Sequence, residues 1–134
     1  KYFFSPMLRK HELEGKLTGA SWVLIGSTFS VFLFEKDIAV LVLLFMSVGD
    51  SVAALIGLQY GKIKIGAKSL EGFAGGFISC IFVSIFFPSI SWINRISGSL
   101  AASLIELSPI PVDDNLMIPI MSGGVMTLFR GMIL

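Results

Sequence analysis

Apolar residues in this chain gather into five long runs separated by short polar breaks. The first, Leu17–Phe34, is bounded by Lys16 and by the cluster Glu35-Lys36-Asp37. At about 1.5 Å of helical rise per residue it is just long enough to cross the hydrocarbon core of a bilayer. Ile38–Tyr60 follows with one charged residue, Asp50, and then Leu70–Phe87, closed by Pro88. Ile90–Leu107 is less apolar, interrupted by Asn94, Arg95 and several serines, and reads as a bundle-facing span or as a helix lying in the interface. Leu116–Leu134 carries Arg130 near its end, where a long side chain can snorkel to the headgroups. Segments of this kind suit helices, which satisfy their backbone hydrogen bonds internally when the solvent is lipid. The pattern predicts an all-α, polytopic integral membrane helical bundle with four or five transmembrane helices. With no internal repeat, residues 1–134 form a single membrane-embedded domain.

Composition strengthens this expectation. Of 134 residues, 54% are hydrophobic and 14% charged, whereas a soluble domain carries roughly a quarter charged residues. So much apolar content excludes disorder. Cys80 is the single cysteine, which excludes a disulfide-stapled secreted module. Ten Lys and Arg against nine Asp and Glu leave a net charge of +1, too little for a global field that attracts nucleic acid. Lys1–Lys16, with His11 in it, has no apolar stretch long enough for a signal peptide and reads as an interfacial segment. It fits the end of a connection from an upstream span.

Loop charges then orient the chain. Lys10 and Lys16 precede the first run, and Lys62, Lys64 and Lys68 follow the second. Two crossings separate these clusters, so both lie on one side, which the positive-inside rule makes cytoplasmic. If the third and fourth runs both cross, Glu106, Asp113 and Asp114 return to that side and face the lysines.

Three groups of residues are candidates for chemistry. Asp50 lies well inside an apolar run, where a carboxylate costs about 2.5–3.5 kcal/mol to insert and is a functional candidate. Gly49, Ala53, Gly57 and Gly61 recur every four residues beside it, a smooth stripe for close helix packing. Asp50 therefore points into the bundle as a ligand, or else makes a helix–helix contact such as an ion pair with Arg95.

Next comes Gly61-Lys-Ile-Lys-Ile-Gly-Ala-Lys-Ser69. Ala67 intrudes into what would otherwise be a phosphate-loop pattern, and no strand precedes it, so that motif is rejected. Its physics still applies, because Lys62, Lys64, Lys68 and Ser69 stand just before a helix start whose free N–H groups favour a polyphosphate. The plainer alternative is a basic membrane loop with Ser69 as helix cap. Glu71 in the first turn suits the helix dipole, and Gly72, Gly75, Gly76 and Ser79 form a second packing face.

The third group is Glu106, Asp113, Asp114 and Asn115 among Pro109 and Pro111. Adjacent acids beside an amide offer hard oxygen ligands suited to Mg²⁺. The alternative is a solvated turn in which Asp114 or Asn115 caps the last helix. Cys80 reads as a small packing residue.

Taken together, Gly49-Asp50-Ser-Val-Ala53-Ala-Leu-Ile-Gly57-Leu-Gln-Tyr-Gly61, then Lys68-Ser69-Leu-Glu71-Gly72, then Asp113-Asp114-Asn115 with Ile118-Pro119 resemble the polyprenol, dolichol, phytol and diacylglycerol kinase family. These enzymes use CTP and are related to the phosphatidate cytidylyltransferases. The resemblance runs from roughly Arg9 to Thr127, with Ala67 standing where the pattern has glycine. It implies a catalytic domain, preceded by upstream spans that complete a lipid groove, that moves the terminal phosphoryl of CTP to a membrane lipid alcohol. It implies Mg²⁺ on Asp50, Asp113 and Asp114, and phosphates on Lys62, Lys64, Lys68 and Ser69. Glu71 or Asp114 would be the general base, with Gly49, Gly57, Gly61, Gly72, Glu106 and Asn115 in support. The cleft would open on the cytoplasmic face of a multi-pass protein, with no nucleic-acid partner; a homo-oligomer stays open. The alternatives are a cytidylyltransferase making CDP-diacylglycerol, and a non-catalytic membrane subunit or transporter using Asp50 and Arg95, for which no inverted repeat is seen.

Overall fold

The chain folds into a bundle in which each apolar run becomes a helix. A computed structural model describes residues 16–133; apart from Lys16, the expected interfacial segment with His11 lies outside the described residues. Helix α1, Gly19–Leu33, starts where Thr18 Oγ1 accepts the Ser21 N–H at 3.2 Å, a side-chain cap for an otherwise orphaned donor. Helix α2, Lys36–Leu44, passes through a π-turn at Phe45–Gly49 into α3, Asp50–Tyr60, and the three form one continuous element of 25 residues.

The all-α expectation needs one correction. The basic loop after α3 is a small hairpin, β1 (Lys64–Ile65) pairing antiparallel with β2 (Lys68–Ser69), with Lys64 opposite Ser69 and Ile65 opposite Lys68. Its two-residue turn is possible because Gly66 takes φ +62°, a region that side chains disfavour. Helix α4, Leu70–Ser84, begins at Ser69, whose Oγ accepts the Gly72 N–H at 3.1 Å. Helix α5, Trp92–Leu107, is capped by Ser91, and α6, Asp114–Ile133, carries Pro119 inside it.

The core is centred on α2: Leu41, Val42 and Phe45 pack with Cys80 of α4, Ala102 of α5 and Ile118 and Met126 of α6. Cys80 is thus a buried packing residue, as expected. The small-residue stripe of α3 meets that of α4 so closely that a Cβ on Gly72 would come within 2.7 Å of the Ala53 carbonyl oxygen. Gly49, Gly57 and Gly61 belong to the same contact, Gly61 where α3 stops.

Helix α5 resolves the ambiguity of the fourth run. Asn94, Arg95, Ser99, Ser103 and Glu106 are buried, while Ile93, Ile96, Leu100 and Leu104 are exposed. Its polar face turns into the bundle and its apolar face outward. Large apolar side chains are exposed on other helices too, among them Leu24, Phe32, Leu58, Ile78, Phe82 and Leu128, far more than a protein surrounded by water tolerates. Among the described residues, only Lys36–Tyr60 is by itself long and apolar enough to cross a membrane; α1 and α4 are apolar but have 15 residues each. The expected four or five crossings thus correspond to one full-length apolar helix and shorter companions.

Candidate active site

A half-open cleft of about 1110 Å³ lies where the ends of several elements meet. One wall is α3, with Asp50, Ala53, Gly57 and Leu58; another is the hairpin with Lys64 to Ser69; a third is the end of α5, the connection Ser108–Asp113 and the start of α6. Lys16 and Trp22 close it from the α1 side. Basic and acidic groups far apart in sequence therefore face one another across a single space, as the loop charges predict.

Lys68 is at the centre. Its ammonium donates to Asp114 Oδ2 at 2.6 Å and lies 3.0 Å from Glu106 Oε1. Strand β2 aims the lysine, the last turn of α5 supplies Glu106, and the first turn of α6 supplies Asp114. Burial pulls the Lys68 pKa down, but the bonds and charges of Asp114 and Glu106 outweigh it and hold the ammonium above its ordinary value. Asp50 lies near enough to Glu106 for the two carboxylates to repel, and both also line a small inner cavity behind the cleft. Charge-assisted pairs of this geometry are stronger than neutral hydrogen bonds.

The structure brings together Asp50, Lys64, Lys68, Ser69, Glu106, Asp113, Asp114 and Asn115, with Gly57 and Gly72 in the walls. Two expected residues stand elsewhere. Glu71 does not line the cleft; both its carboxylate oxygens accept the Ile63 N–H at 3.2 Å, which ties the hairpin to α4 and removes it from the candidates for general base. Lys62 is exposed and outside the lining, so it does not join Lys64 and Lys68. Ser69 is the cap of α4 and also lines the cleft, so both of its readings hold geometrically.

The acidic group is also rearranged. Asp113 Oδ1 accepts the Asn115 N–H at 3.0 Å, so the helix cap is Asp113, and Asp114 is engaged by Lys68. The expected metal set of Asp50, Asp113 and Asp114 is not assembled: among the described residues no three His, Cys, Asp or Glu side chains are grouped to hold a metal. Mg²⁺, however, is commonly held by one or two carboxylates together with substrate phosphates. The neighbouring pair Asp50 and Glu106 fits that shared mode. Arg95 contributes nothing to the cleft. Its Nε donates to the Ile90 carbonyl at 2.7 Å and its guanidinium lies 4.6 Å from the Trp92 ring centroid. It sits eleven residues before Glu106 on the same helix, about 16 Å along the axis.

Sequence reasoning gave Glu106 only a supporting role and did not place Lys16 or Trp22 in a site. For Glu106 a signal was present: Ser99, Ser103 and Glu106 recur at i, i+4 and i+7 along a helix whose other face is apolar, which marks an inward-pointing polar line.

Comparison with known proteins places this geometry in context. Over 87% of its length the chain is 29% identical to CTP-dependent diacylglycerol kinase 1 of Saccharomyces cerevisiae, covering 49% of that protein. It is 32% identical to the Eremothecium gossypii protein of the same name, across 87% of the chain and 45% of the relative. A Zea mays protein named "Probable phytol kinase, chloroplastic" is 30% identical across 84% of the chain and 44% of its own length. The chain spans about half the length of these curated relatives. No family model matches the chain, and no solved structure does.

Proposed function

We propose, for a chain that belongs to the lipid-alcohol kinase family, that the cleft transfers the terminal phosphoryl of CTP to the hydroxyl of a membrane lipid. The acceptor is a polyprenol or dolichol, a phytol-like alcohol or a diacylglycerol. The observation that carries this reading is the convergence of Lys64, Lys68, Asp50, Glu106 and Asp114 on one cleft whose remaining wall is apolar, with Trp22, Leu58 and Ile110. Phosphoryl transfer needs positioning and charge neutralisation more than covalent help from the protein. Lys64 and Lys68 hold phosphate oxygens, and the apolar wall holds the lipid chain with its hydroxyl toward the charged end.

In the reaction the lipid oxygen forms a bond to the terminal phosphorus, the bridging bond to the leaving diphosphate breaks, and CDP departs with that electron pair. The hydroxyl proton passes to Asp114, the base candidate that lines the cleft. Asp50 and Glu106 are the residues that would hold Mg²⁺, which when bound neutralises charge on the transferring group. The outward apolar faces of α1, α3, α4 and α5 support a multi-pass arrangement in lipid. Lys16, Lys64 and Lys68 on one cleft support its placement on the cytoplasmic face.

The test is to incubate the detergent-purified protein with CTP labelled in its terminal phosphate and with a polyprenol, phytol or diacylglycerol. Labelled lipid monophosphate is expected. Release of pyrophosphate with formation of CDP-lipid from phosphatidic acid would replace this reading with cytidylyl transfer. Absence of metal-dependent nucleotide binding would favour a non-catalytic membrane subunit.

A further inference from the structure

The cleft has an electrostatic difficulty that Lys68 is placed to resolve. Its described lining carries three lysines, Lys16, Lys64 and Lys68, against four acids, Asp50, Glu106, Asp113 and Asp114. A nucleoside triphosphate would therefore approach a space of net negative formal charge, with its main phosphate ligand already engaged by Glu106 at 3.0 Å and Asp114 at 2.6 Å. Behind the cleft, Glu106 also borders a cavity of about 10 Å³, shared with Asp50 and Ser103, the size of one small occupant. Ser103 Oγ is buried, the residue being 4% exposed, and finds no hydrogen-bond partner among the described residues. A buried hydroxyl left unpaired is costly, so the inner side of Glu106 is furnished for an arrangement other than the one seen. Glu106 therefore has two sets of neighbours: Lys68 on the cleft side, Ser103 and Asp50 on the inner side.

We infer that Lys68 is a resident counter-ion that occupies the place of a divalent cation until a nucleoside triphosphate arrives. When phosphate draws the ammonium away, Glu106 turns to Asp50 and Ser103 and joins the cation they hold, while Asp114 is released to accept a proton. Cation and nucleotide then bind cooperatively, because each removes what opposes the other: the cation relieves the repulsion between acids and phosphate, and the phosphate relieves the competition of lysine for Glu106. The inference rests on the phosphoryl-transfer reading of the cleft. It adds that Lys68 holds the empty site in an inactive charge arrangement.

The experiment measures Mn²⁺ binding by electron paramagnetic resonance on the detergent-purified protein, with and without CTP. Wild-type protein should bind Mn²⁺ weakly alone and about tenfold or more tightly with CTP, a coupling within the usual range for linked sites. Lys68→Met should bind Mn²⁺ without nucleotide about tenfold more tightly than wild type, and CTP should add little. Lys68→Arg, which keeps the charge, should retain weak Mn²⁺ binding. An unchanged or weakened Mn²⁺ affinity in Lys68→Met overturns the inference. So does equal wild-type affinity with and without CTP, a result that does not depend on the variant folding. Lipid phosphorylation is scored separately. Its absence beside an intact Lys68 effect would defeat the kinase reading while leaving the counter-ion role standing.

Discussion

Helices α2 and α5 sit in one bundle and bury opposite chemistry. Helix α2 turns Leu41, Val42 and Phe45 inward, as a soluble core helix would. Helix α5 turns Arg95, Ser99, Ser103 and Glu106 inward and leaves Ile93, Ile96, Leu100 and Leu104 outside. The first arrangement gains from packing alone. The second makes sense where the outer surface meets lipid, and it carries a line of polar groups that ends at the cleft. Rigidity and chemistry are thus assigned to different helices: α2 holds the frame and α5 delivers Glu106 to Lys68.

Five outcomes would break or sharpen this contrast, in descending order of effect. Phe45→Ala removes the largest fully buried side chain of the frame and should cost about 3–5 kcal/mol, seen as a large fall in unfolding midpoint in detergent. Asp50→Asn should lower phosphoryl transfer by about a hundredfold to a thousandfold while the protein elutes and melts as wild type. Retained turnover would reduce Asp50 to a packing contact. Gly72→Val places a side chain against the Ala53 carbonyl and should destabilise by about 1–3 kcal/mol, loosening α3 from α4 in a cross-linking or melting assay. Ser99→Ala, by contrast, removes a buried hydroxyl with no partner among the described residues and should change stability by less than about 1 kcal/mol in either direction. A strong loss there would mean that the polar line of α5 is held by an internal bond.

The smallest effect concerns pH. Lys68 titrates above its ordinary value of 10.5 in the folded protein, so the native state holds the proton longer than the unfolded chain. Its contribution to stability is complete below that ordinary value and is lost only as pH rises through the native value above it. Denaturation curves should show no Lys68-dependent change between pH 7 and about pH 10, and a decline beyond that.

Much of this was legible in the sequence, for identifiable reasons. The five runs became helices because lipid leaves the backbone few alternatives, and the stripe of Gly49, Ala53 and Gly57 found its partner because small residues favour close approach. Asp50, Lys68 and Asp114 reached one cleft because counting crossings fixes which loops share a side. Contacts that depend on tertiary geometry were hidden. Nothing local shows that Glu106, 38 positions after Lys68, will be its ion partner. Nor does local pattern show that Glu71 will turn to the Ile63 N–H, or that Asp113 will cap α6 and leave Asp114 for the lysine. The hairpin is only two residues per strand, too short for alternation to register, and Lys62 and Lys64 part company on it.

The π-turn at Phe45–Gly49 has a consequence for how this chain can change in length. Such a turn accommodates one residue more than an α-helical turn does between bonded groups. Deleting a single residue there would let the helix run on as plain α, and everything after it would rotate by about 100°. Asp50, directly after the turn, would swing off the cleft, and the glycine stripe would turn away from α4 with it. The same loss in the Ser108–Asp113 connection would meet more slack. The spacing from Glu35 to Asp50 therefore acts as a ruler, tolerant of changes in residue type but intolerant of changes in number.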